Sequence, residues 1–147
     1  MNNKKNPTFA EKALNYIVCY NEQCPLHTKC LRYDVGQYVP AGQLLVTSVS
    51  PAYEHALDGN CTLFSDNTPV TMKVGMKNRF YMDMPAHIAT KIKGRLIAHT
   101  CRSTYYKYHN GKRPIPPTLL SFIESVCREE GWTGPLVFDG EVKDYVW

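Results

Sequence analysis

The stretch CYNEQCPLHTKCLRY, from Cys19 to Tyr33, places three cysteines and one histidine within twelve residues. A cluster this dense has three interpretations: a disulfide framework, a metal site, or small buried apolar side chains. The choice decides how this part of the chain is held together. It depends first on whether the thiols are kept reduced.

The N-terminal residues argue against export from the cell. In MNNKKNPTFAEKALNYIVCY the apolar positions are interrupted by Glu11, Lys12 and Asn15, and no small-residue cleavage pattern follows. No window approaches the roughly 18 continuous apolar residues of a membrane-spanning helix. We therefore expect a cytoplasmic protein with reduced thiols, which favours a metal site over a disulfide framework.

The cysteine spacing suits a metal ion. Cys19, Cys24 and Cys30 follow the pattern C-x4-C-x5-C, and Cys61 comes later in the turn-like segment DGNCTLFSD. A soft cation stabilises thiolates that would otherwise repel one another, and zinc takes four ligands in a tetrahedron. The sequence thus predicts a zinc site made by Cys19, Cys24, Cys30 and Cys61.

Two alternatives to this ligand set stay open. His27 lies inside the same loop and could replace one sulfur. Four cysteines, one of them in a Cys24-Pro25 pair, would equally suit a 4Fe–4S cluster, whose ligands are also thiolates. Cys101 and Cys127 fall in helical patterns instead, where we expect them to be core residues.

Charge is distributed unevenly along the chain. Residues 84–123 carry seven Lys or Arg and no Asp or Glu, whereas residues 124–147 carry two basic residues against six acidic ones. A long block without carboxylates indicates a polyanionic partner such as nucleic acid. The alternative is a solvated basic face that pairs with the acidic C-terminal residues.

The apolar pattern indicates an α+β protein of 147 residues, the length of one typical domain. Residues 44–49 and the alternation around Val70–Val74 predict short strands. Three helices are predicted between Pro85 and Gly131, the middle one short, basic and ended by Asn110-Gly111. We expect a Cys-rich, metal-stapled region over 1–84 and a basic helical region with an acidic tail over 85–147, packed as one compact unit.

Part of the second region resembles the helix-turn-helix of Cro/repressor-type regulators. The third helix of that family commonly runs Ser-x-Ser-Thr-apolar-x-x-aromatic-x-Asn-Gly-Lys. The matching positions here are Ser103, Thr104, Tyr105, Tyr108, Asn110, Gly111 and Lys112. Arg95 and Ile97 depart from the family pattern of the second helix, and His109 stands where an acid is frequent.

The resemblance implies a DNA-reading helix with two faces. Tyr105 and Tyr108 would face the core, because they lie three residues apart. The outward residues would approach a major groove, and the cations beyond the helix end would reach phosphates. The predicted nucleic-acid-binding residues are Arg102, Ser103, Thr104, Tyr106, Lys107, Lys112 and Arg113.

Over nearly its full length the chain also resembles an uncharacterised bacterial domain family. That family combines an N-terminal C-x-N-x-x-C-P cluster, a later cysteine, and a tail with Tyr-Tyr-x-Tyr, Pro-Pro, Gly and Phe-Asp that ends near Trp. The corresponding residues are Cys19, Asn21, Cys24, Pro25, Cys30, Cys61, Tyr105, Tyr106, Tyr108, Pro116, Pro117, Gly131, Phe138, Asp139 and Trp147. The family has no assigned activity, so the resemblance implies one structural unit and no reaction.

The sequence favours a binding role over catalysis. It contains no Gly-rich phosphate loop, nucleophile elbow or His-Glu-x-x-His helix. We expect a metal-stapled protein that binds nucleic acid, DNA in particular, in a regulatory role and has no membrane partner; the sequence identifies no small-molecule substrate. The alternatives are an iron–sulfur redox or sensor protein and a zinc-stapled module that binds an acidic protein.

Overall fold

A computed structural model describes residues 7–56 and 60–147, with side chains from residues 8–53 and 60–147. The first six residues of the N-terminal stretch, and residues 57–59 just before Cys61, lie outside these ranges. In the described part of the chain, no helix is both long enough and apolar enough to cross a membrane.

The chain has the mixed α and β content that the sequence predicts, with helices and a small antiparallel sheet. The elements in chain order are α1 (Pro7–Lys12), a 3-10 helix (His27–Lys29), α2 (Leu31–Gly36), α3 (Pro51–Ala56), β1 (Val70–Val74), α4 (Ala86–Thr100), α5 (Arg102–His109), α6 (Pro117–Glu129) and β2 (Gly140–Asp144).

The described residues divide into two compact units. Unit 1 contains those up to Thr68 together with Tyr145–Trp147, and unit 2 contains Pro69–Asp144. The boundary at residue 84 that the charge and helix patterns indicate therefore falls inside unit 2.

Unit 1 has its own small core, formed by Phe9, Ala13, Val18, Leu31 and Val35. The last aromatic residues close this core, because Tyr145 and Trp147 pack their rings against Phe9 at centroid distances of 5.0 and 5.8 Å. Phe9 lies in α1 and Ala13 directly follows this helix, and the N–H of Ala13 donates to the carbonyl of Phe9 at 2.9 Å, so both side chains reach the same core.

The predicted strand over residues 44–49 is wrong. The segment is extended, but its only ladder contact among the described residues is an isolated parallel bridge between Val18 and Ser48. Leu44 and Leu45 are 94% and 83% exposed, so the apolar run is not buried as a core strand would be. A β-prone sequence becomes a strand only where a neighbouring strand pairs with it.

In unit 2 the strand predicted around Val70–Val74 is confirmed as β1. It pairs antiparallel with β2, and the register runs from Val70 opposite Asp144 to Val74 opposite Gly140. β2 was not predicted, because GEVKD is exposed at nearly every position and shows no apolar alternation.

The three helices predicted between Pro85 and Gly131 are confirmed as α4, α5 and α6. Their buried side chains form the core of unit 2 at the predicted helical spacing: Ile92 and Leu96 from α4, Tyr105 and Tyr108 from α5, and Leu119, Ile123, Val126 and Cys127 from α6. Gly111 and Gly131 follow α5 and α6 with φ of +72° and +90°, the left-handed conformation expected just past a helix end.

Candidate metal centre and candidate nucleic-acid interface

All four cysteines of the predicted metal site line one pocket in unit 1. This cysteine pocket is bordered by Cys19, Cys24, Cys30, Cys61 and His27, with apolar walls from Leu26, Val49, Leu63 and Phe64. Its volume is about 20 Å³, which is room for a single water-sized particle. The pocket therefore gathers soft donor atoms around a small, largely apolar space.

Two consecutive tight turns connect three of these donor residues, Cys24, His27 and Cys30. The backbone N–H of His27 donates to the carbonyl of Cys24 at 3.1 Å, and that of Cys30 donates to the carbonyl of His27 at 3.2 Å. Both are i to i+3 bonds, and the second closes the 3-10 helix His27–Lys29. These turns keep the three residues close together along the backbone, and all three line the cysteine pocket.

The imidazole of His27 is held in a defined tautomer. Its Nδ1 lies 2.7 Å from the carbonyl oxygen of Cys24, which can only accept a hydrogen bond. Nδ1 therefore carries the proton, and Nε2 of the neutral ring keeps its lone pair. The ring of Tyr33 meets the imidazole edge to face at 5.0 Å between centroids and limits its rotation.

A cation is built into the wall of the cysteine pocket. Arg32 donates from Nε to the carbonyl of Leu63 at 2.6 Å and from Nη1 to the carbonyl of Ile17 at 3.0 Å. Its guanidinium also lies over the ring of Tyr16, 4.7 Å from the centroid. These contacts fix a positive charge where deprotonated sulfurs would accumulate negative charge.

The cysteine and histidine side chains line one pocket, but in the described structure they are not arranged around a common metal position. None of the six cysteines, all of which lie in the described ranges, forms a disulfide bond. In those ranges no group of three or more His, Cys, Asp and Glu side chains is arranged to hold a metal ion. A tetrahedral site would therefore need cysteine side chains to turn inward.

In unit 2 the predicted orientation of α5 is confirmed. Tyr105 and Tyr108 are 1% and 6% exposed and face the core, whereas Arg102, Ser103 and Lys107 are exposed on the other side. Thr104 and Tyr106 are half-buried at the margin. We call the outward set the basic face; it comprises Arg102, Ser103, Thr104, Tyr106, Lys107, Lys112 and Arg113.

The turn after α5 ties three cations of the basic face together. The backbone N–H groups of Lys112 and Arg113 both donate to the carbonyl of Lys107, at 2.9 and 3.2 Å. All three side chains are exposed. The charges therefore sit on one short structural element and do not depend on a mobile tail for their proximity.

Tyr106 anchors further positive charge. The Lys93 ammonium and the Arg102 guanidinium lie 5.4 and 5.7 Å from its ring centroid, and Arg113 lies 5.5 Å from the ring of Tyr108. Cation–π contacts hold these side chains against aromatic rings without neutralising them.

Carboxylates engage very little of this positive charge. Of the seven cations in residues 84–123, only Arg95 forms ion pairs within the described structure, with Glu129 and Glu130 at 2.6 and 3.2 Å. Asp139 instead accepts hydrogen bonds from the backbone N–H groups of Lys77 and Asn78, and Glu141 pairs with Lys73. In the described ranges, the alternative in which acidic residues of 124–147 neutralise the cations of 84–123 is thus realised at Arg95 alone.

A hydrogen-bonded chain runs from the core to the edge of α5. The hydroxyls of Tyr81 and Tyr105 lie 2.9 Å apart, and the Tyr105 hydroxyl lies 3.3 Å from Nδ1 of His109. Burial raises the pKa of both tyrosines above the usual value, and it lowers the pKa of His109, with repulsion from Lys93 as the next cause. These three side chains are therefore neutral near pH 7, and the sequence pattern did not indicate their association.

Cys101 is not a core residue, so that prediction is wrong, whereas Cys127 is buried as predicted. Cys101 is the single residue between α4 and α5, and its φ of 71° and ψ of 157° fall in a region that is almost restricted to glycine. Its Sγ lies 3.3 Å from Oγ1 of Thr104 and 3.6 Å from Oγ of Ser103. The hydrogen bonds with Thr104, followed by those with Ser103, lower the pKa of the Cys101 thiol to about 7.

Comparison with known proteins identifies a family and no function. No curated protein and no solved structure matches the chain. A family model described as a family of unknown function, DUF6078, matches residues 1–147. The match confirms that the chain belongs to an uncharacterised family, and its length covers both units. The chain therefore belongs to the DUF6078 family of unknown function over its whole length.

Proposed function

We propose that this protein binds nucleic acid, DNA in particular, through the basic face of unit 2 and acts in regulation. The observation that carries the proposal is the group of exposed cations around α5 that no carboxylate of the described structure neutralises. Exposed positive charge held on an ordered element is the basis of phosphate binding.

The dimensions of α5 suit a groove. An α-helix with its side chains is about 10–12 Å across, which the major groove of B-DNA, about 12 Å wide, admits, and the eight residues of α5 supply about two turns for it. Arg102 and Ser103 in its first turn would approach base edges. Lys107, Lys112 and Arg113 at its far end would contact phosphates.

The connection between α4 and α5 differs from the usual helix-turn-helix. That motif joins its helices through three or four residues, often with glycine, whereas here Cys101 alone makes the turn with a positive φ. We therefore propose a basic helix presented by a tight corner, and the recognition-helix role of α5 rests on its exposed residues.

Binding to an acidic protein is the second candidate function. It is favoured by the same unneutralised cations, because carboxylates of a partner would pair with them as phosphates would, and the adjacent exposed side chains of Leu44 and Leu45 in unit 1 offer apolar contacts. In this reading the basic face would meet carboxylates in place of phosphates. Either function would operate in the cytoplasm under this proposal, where the thiols stay reduced.

A competition measurement separates the two candidates. Fluorescence anisotropy would follow a labelled mixed-sequence DNA duplex on addition of the full-length protein, with unlabelled duplex or poly-glutamate as competitor. If the protein binds DNA, the labelled duplex should bind saturably. Unlabelled duplex should then displace it at a far lower concentration of negative charge than poly-glutamate does. Equal displacement by the two polyanions, or no binding to the duplex, would favour the second candidate.

A further inference from the structure

We propose that the cysteine pocket of unit 1 binds one zinc ion through the Nε2 atom of His27 and the sulfurs of Cys24, Cys30 and Cys61. This inference is independent of nucleic-acid binding, because every residue in it belongs to unit 1. It also changes the ligand set that cysteine spacing alone indicates, since it places a histidine in the position predicted for Cys19.

The first argument is the turn geometry. The segment has the spacing C-x2-H-x2-C from Cys24 to Cys30, two i to i+3 hydrogen bonds connect these residues, and all three line the cysteine pocket. Ligands separated by two residues on a tight turn are a frequent half-site for zinc. The pattern C-x4-C-x5-C from Cys19 to Cys30 counts cysteines only and therefore does not include His27.

The second argument is the tautomer of His27. A histidine that ligates a metal nearly always donates its other ring N–H to a carbonyl, a carboxylate or water. The bond from Nδ1 to the carbonyl of Cys24 at 2.7 Å supplies this arrangement before any metal binds. Nε2 keeps the lone pair that a metal requires.

The third argument concerns the fourth ligand. Cys61 begins a turn that is closed by a hydrogen bond of 3.3 Å, in which the N–H of Phe64 donates to the carbonyl of Cys61. Cys19 lies in an extended segment fixed by the bond from its N–H to the carbonyl of Arg32 and by the Val18–Ser48 bridge. A turn residue can move its sulfur toward the other ligands with less disturbance than a residue bonded on both sides.

The size and charge of the pocket favour one ion over a cluster. A volume of about 20 Å³ suits one ion between four donors, whereas a 4Fe–4S cluster adds eight atoms. Three thiolates and a neutral imidazole around a divalent ion give a net charge of −1, which the guanidinium of Arg32 faces from the pocket wall. Binding releases the three thiol protons and draws the sulfurs inward.

Metal content and X-ray absorption on the full-length protein test the proposal. Protein purified without added metal or chelator should contain about one zinc per chain. The absorption spectrum should show three sulfurs at about 2.3 Å and one nitrogen at about 2.0 Å from zinc. A shell of four sulfurs, iron with sulfide, or no bound metal would overturn the proposal.

Variants assign the individual ligands. His27→Gln should lose the nitrogen from the zinc shell, and Cys61→Ser should lower zinc retention against a chelator, while Cys19→Ser and the unit 2 control Cys101→Ser keep the wild-type value. Zinc loss in Cys19→Ser together with retention in Cys61→Ser would contradict the assignment. The wild-type absorption spectrum decides by itself whether nitrogen is a ligand, so the proposal stays testable even if a variant does not fold.

Discussion

The hydroxyl of Tyr105, at the centre of α5, lies 2.9 Å from the hydroxyl of Tyr81. Tyr105 is 1% exposed, so this bond forms where water cannot replace it. It fixes the rotation of α5 about its axis and with it the direction of the basic face. The same ring stacks on His109 at 5.5 Å between centroids, which extends the constraint to the end of the helix.

Replacement of Tyr105 by Phe should lower the free energy of unfolding by about 1–2 kcal/mol, because the Tyr81 hydroxyl loses its buried partner. Urea denaturation measures the change. Tyr106→Phe is the matched control, since the Tyr106 hydroxyl has no hydrogen bond in the described structure, and it should shift stability by less than about 0.5 kcal/mol. Equal effects of the two substitutions would refute the buried bond.

The corner between α4 and α5 carries backbone strain that glycine would relieve. Cys101 has φ 71° and ψ 157°, a conformation that costs a residue with a Cβ about 1–3 kcal/mol. Cys101→Gly should therefore stabilise the protein by about 1 kcal/mol in thermal or urea unfolding, after the entropy cost of glycine. Cys101→Ala keeps the strain and serves as the control; a glycine variant no more stable than the alanine variant would disprove the strained corner.

Thiol reactivity should follow pH differently at the two cysteines of unit 2. The pKa of Cys101 is lowered to about 7 by its hydrogen bonds with Thr104 and Ser103, whereas burial raises the pKa of Cys127 to about 11. A lowered pKa means that thiolate forms at lower pH, so alkylation of Cys101 by iodoacetamide should rise through about pH 7. Cys127 should react only after unfolding.

Peptide mass spectrometry across a pH series gives both reaction rates. Thr104→Ala removes the largest cause of the shift and should move the midpoint for Cys101 upward, toward the ordinary value of 9.0. A midpoint near 9.0 in the wild-type protein, unchanged in the variant, would show that these hydrogen bonds do not stabilise the thiolate.

Removal of the proposed zinc should unfold unit 1 and leave unit 2 folded. The two tryptophans report separately, because Trp147 packs on Phe9 in unit 1 and Trp132 packs on the core of unit 2. In Trp132→Phe, a chelator should shift the emission of Trp147 to longer wavelength, because metal binding contributes to folding free energy. In Trp147→Phe, emission from Trp132 should stay unchanged. If the emission of Trp147 did not respond to the chelator, the folding of unit 1 would not depend on a bound metal.

The sequence predicts the helices of unit 2 well, for a physical reason. Apolar residues at helical spacing, prolines before α6 and glycines after α5 and α6 act locally, and each is confirmed. β2 is held by its pairing with β1, which is a contact distant in sequence, so its own residues carry no strand signal. The segment over 44–49 shows the converse, since it carries β propensity but, among the described residues, forms only the isolated bridge between Val18 and Ser48.

In the candidate sites, too, the local sequence predicts some features, and others require the folded chain. The spacing of Tyr105 and Tyr108 predicts which face of α5 is exposed, because a helix converts sequence distance directly into direction. The association of Cys61 with the earlier cysteines needs the folded chain, and so does the orientation of His27. Cys101 was assigned to the core because helical periodicity cannot reveal a one-residue corner between two helices.

If the basic face contacts phosphates, the salt dependence of DNA binding reports the number of those contacts. The measurement compares the slope of log K against log salt for the wild type and for Lys107→Gln/Lys112→Gln/Arg113→Gln. A charge-matched control, Lys29→Gln/Arg128→Gln/Lys143→Gln, removes three exposed cations that lie outside the basic face. Circular dichroism checks that both triple variants fold.

The basic-face variant should bind DNA more weakly, and its slope should be shallower by roughly 3, since each phosphate contact contributes about 0.9. The control should keep the wild-type slope. Wild-type binding that is insensitive to salt, or the same slope in both triple variants, would contradict phosphate contacts by the basic face.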